Sequence, residues 1–108
     1  MPFEVFLTEA AARDFDELIT YIAQRDSRDR ADHVLDKIET VFSTLAEFPE
    51  RGAIPKELRA LGILDYREIF FKPYRIVYRI MAKSVYVLMI ADGRRDMQRL
   101  LQRRLLED

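Results

Sequence analysis

The sequence contains no cysteine and a single histidine. The first absence excludes a disulfide framework, a thiolate nucleophile and a cysteine-based zinc or iron–sulfur centre. The second makes a histidine-built zinc site improbable. No apolar run reaches the roughly eighteen residues that a bilayer-crossing helix needs, and Met1-Pro2-Phe3-Glu4 lacks the basic start of an export signal. A glycine-rich phosphate loop and a Gly-x-Ser-x-Gly elbow are also missing. The expectation is therefore a soluble cytoplasmic protein with no cofactor and no membrane partner. At 108 residues it should form one domain that buries a core without staples.

Charge of one sign is scarce only in part. The net charge is −1, yet residues 1–65 carry 8 Lys/Arg against 14 Asp/Glu, and residues 66–108 carry 10 against 5. A basic C-terminal half suits phosphates or an acidic protein partner. The acidic total argues against a protein held mainly by counterion release from nucleic acid.

Phe3-Glu4-Val5-Phe6-Leu7 is β-prone and ends at Thr8, a helix N-cap. Ala11, Phe15, Leu18, Ile19 and Ile22 then follow helical spacing, with Arg13, Asp14, Asp16 and Glu17 on the wet side. Ser27 caps a second helix whose apolar stripe runs from Ala31 to Phe48 and stops at Pro49. The short connection predicts an antiparallel hairpin. Residues 49–62 form a long loop with one possible helical turn at 56–61, a candidate functional loop. From Ile63 the period becomes two, predicting strands near 64–71, 74–81 and 84–91, and a helix returns after Asp92-Gly93. The layout is β-αα-βββ-α: an α+β fold with a helical hairpin on a small, mainly antiparallel sheet and a C-terminal helix. One sheet face is expected to stay open.

In the third strand, alternation sends Arg75, Val77 and Arg79 to one face and Tyr74, Ile76, Tyr78 and Ile80 to the other. Two arginines on one face are costly to bury unpaired, so that face is either solvated and meets anions, with Arg67 joining, or carries a ladder paired with Glu68, Asp92 or Asp96. Whichever of Phe70 and Phe71 points away from the hairpin is expected beneath the C-terminal helix. His33 lies off the apolar stripe and is read as a surface residue.

Tyr66-Arg67-Glu68-Ile69, Pro73-Tyr74-Arg75-Ile76-Val77-Tyr78 and Asp92-Gly93-Arg94-Arg95-Asp96, in this order, resemble the C-terminal pattern of the RelE/ParE toxins of type II toxin-antitoxin systems. Pro49-Glu50-Arg51-Gly52 and the upstream hairpin resemble ParE members in particular. The resemblance implies one of two activities. RelE-type members cleave messenger RNA in the ribosome without metal, using basic side chains around the attacked phosphate. ParE-type members bind DNA gyrase and trap its cleaved-DNA complex.

By motif, Arg75 matches the RelE strand arginine and Arg95 the arginine after its Gly-basic pair, with Arg67 able to replace a further basic residue. Ile69 stands at another basic position, and Leu101 where RelE has its late tyrosine. Lost proton transfer typically costs a factor of about 10² to 10⁴. The expected reading is therefore a ParE-like, non-enzymatic gyrase toxin. Its target contacts would come from Arg75, Arg79, Arg94, Arg95, Arg99 and Arg103, although the last residues also suit an ordinary solvated helix face. A ribosome-dependent nuclease acting on mRNA, or a non-toxic relic that only partners an antitoxin, are the alternatives. The resemblance further implies a cognate antitoxin, in a hetero-oligomer, with a flexible tail folded over the hairpin–sheet groove or a free sheet edge.

Overall fold

The computed structural model describes residues 2–107. Strand β1 (Glu4–Leu7) leads into α1 (Glu9–Arg25) and α2 (Arg28–Glu47). The two caps form as the sequence predicts: the Thr8 hydroxyl accepts from the Ala11 N–H at 3.1 Å, and the Ser27 hydroxyl from the Arg30 N–H at 3.0 Å. After a 3₁₀ turn (Pro49–Arg51) and a single turn, α3 (Lys56–Arg59), come β2 (Tyr66–Phe71), β3 (Tyr74–Met81), β4 (Ser84–Asp92) and α4 (Met97–Glu107). None of the described helices is long and apolar enough to cross a membrane.

The sheet order is β1-β4-β3-β2. The last three strands make the expected antiparallel meander, while β1 pairs with β4 in parallel. The hairpin covers one face, where Val34, Ile38 and Leu45 of α2 meet Ile76, Tyr78, Val85 and Val87. The other face is not open. Leu58 of α3 and Met97 and Leu101 of α4 pack there on Val77, Leu88, Met89 and Ala91, forming a second core. Alternation alone places the apolar Val77 on that face, but the cover comes from elements distant in sequence.

A bulge shapes both cores. Val77 pairs with Met89 but Tyr78 with Val87, so Leu88 has no partner on β3. Leu88 and Met89 consequently both enter the second core, while Val87 and Ile90 enter the first. Beyond Val87, where β1 has ended, Asp14 accepts the Ile90 N–H at 3.0 Å and Arg104 donates to the Leu88 carbonyl at 2.8 Å. Asp14 and Arg104 bind each other at 2.7 and 2.9 Å. Asp14, expected on the wet side of α1, thus ties α1, β4 and α4 together, because the backbone groups there need partners once β1 stops.

The loop 49–62 wraps back onto the sheet. The buried Tyr78 hydroxyl donates to the Pro49 carbonyl at 2.6 Å and accepts the Gly52 N–H at 3.0 Å. A side chain at Gly52 would sit 2.6 Å from both the Glu68 carbonyl and the Tyr78 hydroxyl, so only glycine allows this approach. Tyr78→Phe strands a buried donor and a buried acceptor, and should cost about 1–3 kcal/mol in urea unfolding.

Candidate interaction surface

Arg75, the second residue of the central strand β3, lies on the face away from the hairpin, almost wholly buried. Its guanidinium donates a fork to the carboxylate of Glu57 of α3, at 2.8 and 2.9 Å, while its Nε donates to Glu68 of β2 at 2.7 Å. Gly93 supports the stem of Arg75, since a Cβ there would meet Cδ at 2.7 Å. Of the two states expected for the strand arginines, Arg75 therefore adopts the paired one. Glu68 was an expected partner and Glu57 was not.

Two carboxylates share one guanidinium, and their pKa values move apart. The Arg75 hydrogen bond holds Glu57 below the usual 4.5. Burial pushes Glu68 above it, against the pull of Arg75. Below 4.5 the unfolded chain binds more protons at Glu57, so stability falls as pH drops through the lowered value. Above 4.5 the folded chain holds more protons at Glu68, so stability falls as pH rises through the raised value. This pair should give a stability maximum near the usual glutamate value. Glu68→Gln should flatten the upper limb in urea midpoints taken over roughly pH 3 to 8.

Next to this cluster lies a cleft of about 550 Å³, lined in part by Lys56, Phe70, Lys72, Arg75 and Arg94. Phe70 is 59% exposed and stacks on Arg75, with Cζ 5.4 Å from the ring centroid. The expected cover by the C-terminal helix fails because α4 packs over β3 and β4, whereas Phe70 lies on the outer strand β2. Phe71, on the opposite side, packs against the hairpin core.

The remaining arginines are dispersed. Arg67 pairs in register with Tyr78, which puts it on the hairpin face, away from Arg75 and Arg79, where it donates to the Glu50 and Gly52 carbonyls. Arg79 is half-exposed, over the Tyr66 ring at 5.7 Å and 3.9 Å from Asp65. Arg94 is exposed and forks onto Asp92, whose carboxyl this contact holds below its ordinary range. Arg95, Arg99 and Arg103 are exposed along the last turn and α4. His33 is exposed too. Ile69 lies in the first core and Leu101, with no exposure, in the second. The sequence reading missed Glu57, Asp14 and Arg104 as organisers, since the ion-pair partner of Glu57 stands 18 residues away and Asp14 and Arg104 stand 90 apart.

Residues 5–97 match the family described as "ParE toxin of type II toxin-antitoxin system, parDE". The chain belongs to the ParE toxin family. This ParE-family chain is 30% identical over 90 residues to Toxin ParE3 of Caulobacter vibrioides, covering 83% of the chain and 86% of that relative. It is 34% identical over 97 residues to Toxin RelE1 of the same organism, covering 86% of the chain and 96% of that relative. Among solved structures, one titled "Chromosomal ParDE TA system from P. aeruginosa" shares the fold. The TM-score is 0.68 at 19% identity, over 83% of this chain and 95% of that one. Membership makes the chain a type II toxin-antitoxin toxin and implies a cognate antitoxin.

Proposed function

We propose that this ParE-family toxin arrests growth by binding DNA gyrase and trapping its cleaved-DNA complex, and that it is not a ribonuclease. The state of Arg75 carries the reading. The arginine that matches the RelE strand arginine is held on two sides by Glu57 and Glu68, and its charge is spent inside the protein. Ile69 and Leu101 fill core positions, so neither offers a proton-transfer group to the cleft. A binding toxin needs no such group. The cognate antitoxin neutralises the toxin in a hetero-complex, its acidic residues complementing the basic C-terminal half.

The purified toxin should inhibit supercoiling and accumulate cleaved DNA with no ribosome present. Unchanged gyrase activity at excess toxin would overturn the reading. A second reading, a ribosome-dependent mRNA endoribonuclease, draws support from the basic rim of the Phe70 cleft, Lys56, Lys72 and Arg94. It requires codon-positioned cuts in translated messages that disappear with Arg95→Ala.

A further inference from the structure

The sheet register aligns four residues that are scattered in the sequence. Phe6 of β1 pairs with Tyr86 of β4, Tyr86 with Arg79 of β3, and Arg79 with Tyr66 of β2. Cross-strand partners share a face, so the four form one row across the whole sheet. The Phe6 and Tyr86 rings stack at 5.5 Å and 23°, and Arg79 lies over Tyr66. The row is on the face that α3 and α4 cover, but at its uncovered end. Phe6 is 43% exposed and Tyr86 37%, with Met81 exposed beside Tyr86. A pocket of about 220 Å³ opens between Tyr66 and Tyr86, with Leu88, Met81, Thr8 and Arg79 completing its walls.

Single exposed apolar side chains are ordinary, whereas a continuous band across four strands is not. Aromatic residues around an arginine are the composition that dominates protein–protein hot spots. The pocket is smaller than the 300–1,000 Å³ or so of small-ligand sites and suits one inserted side chain. Among the described residues the acidic contact of Arg79 is Asp65 at 3.9 Å, itself exposed and therefore weak, which leaves the guanidinium able to take a second carboxylate. One cation among apolar groups provides little counterion release, which disfavours nucleic acid. A two-fold pairing of this row with itself would bring Arg79 charges close, which disfavours a second copy.

We propose that the Phe6–Tyr86–Arg79–Tyr66 row is the target-binding surface of the toxin. It takes a protein segment that inserts an apolar or aromatic side chain into the pocket and sets a carboxylate against Arg79. The identity of that protein as gyrase rests on the function proposed above.

The test uses the full chain with Arg79→Glu, Tyr86→Ala and Arg79→Lys, and His33→Ala as control. Three quantities are read: affinity for purified gyrase, growth arrest on induction, and the urea midpoint. Arg79→Glu and Tyr86→Ala should keep folded midpoints, bind gyrase at least about tenfold more weakly and lose arrest, with partial recovery in Arg79→Lys. Folded variants that bind and arrest like the wild type would overturn the proposal. So would variants that remain toxic but escape the antitoxin, since the row would then be the antitoxin's, and so would a dimer of the wild type that the variants abolish. A wild type that arrests growth without binding gyrase, while the variants do not arrest, removes the gyrase reading and keeps the row. A wild type that does neither overturns both.

Discussion

Arg75→Ala should destabilise the protein by about 3–5 kcal/mol, because it leaves carboxylates without the cation that compensates them. Glu68 is buried and its burial already opposes ionisation, so the loss of its 2.7 Å partner leaves an unpaired group in the second core's wall. Glu57 loses both bonds of its fork, and α3 then meets the sheet through Leu58 without that ion pair. Replacing the whole cluster is a different experiment. Arg75→Met with Glu57→Leu and Glu68→Met removes charge and countercharge together and should be neutral or stabilising by about 1–4 kcal/mol. Urea unfolding separates the two. A single variant within about 0.5 kcal/mol of wild type would mean that water already solvates the cluster.

Leu101→Ala should cost about 2–5 kcal/mol, at the end of that range where the cavity cannot collapse. Leu101 is fully buried and, with Met97 and the partly buried Leu100 and Leu105, forms the contact between α4 and the second core. A helix of 11 residues is marginal by itself in water, so α4 depends on this contact and on the Arg104–Asp14 pair. Amide exchange in Met97–Glu107 should accelerate first, while the hairpin helices stay protected. Leu106→Ala, at a position 87% exposed, should change stability by less than about 0.5 kcal/mol. Equal costs for the two leucines would contradict the packing of α4.

The hairpin was legible because its causes are local. Thr8 and Ser27 cap, the apolar stripes repeat at helical spacing, and Pro49 ends α2. The meander was legible through its period of two, and the motifs between Tyr66 and Asp96 pointed to the toxin superfamily. The cover over the second face was not. Leu58 sits on a single helical turn too short to show a periodicity, and nothing in the spacing of Met97 and Leu101 says which face of the sheet they meet.

The same division runs through the arginines. Composition and alternation determined that the C-terminal half is basic and that Arg75 and Arg79 share a sheet face. Only the tertiary structure decided their fates. Glu57 arrives from 18 residues upstream to neutralise Arg75, whereas Arg79, four residues further along β3, meets the exposed Asp65 at 3.9 Å and stays half-exposed between Tyr66 and Tyr86. Local sequence dictates helices and strands because capping, spacing and alternation act over a few residues. Which charges are spent and which are displayed depends on register and on chain-distant partners, and these exist only once the sheet has closed.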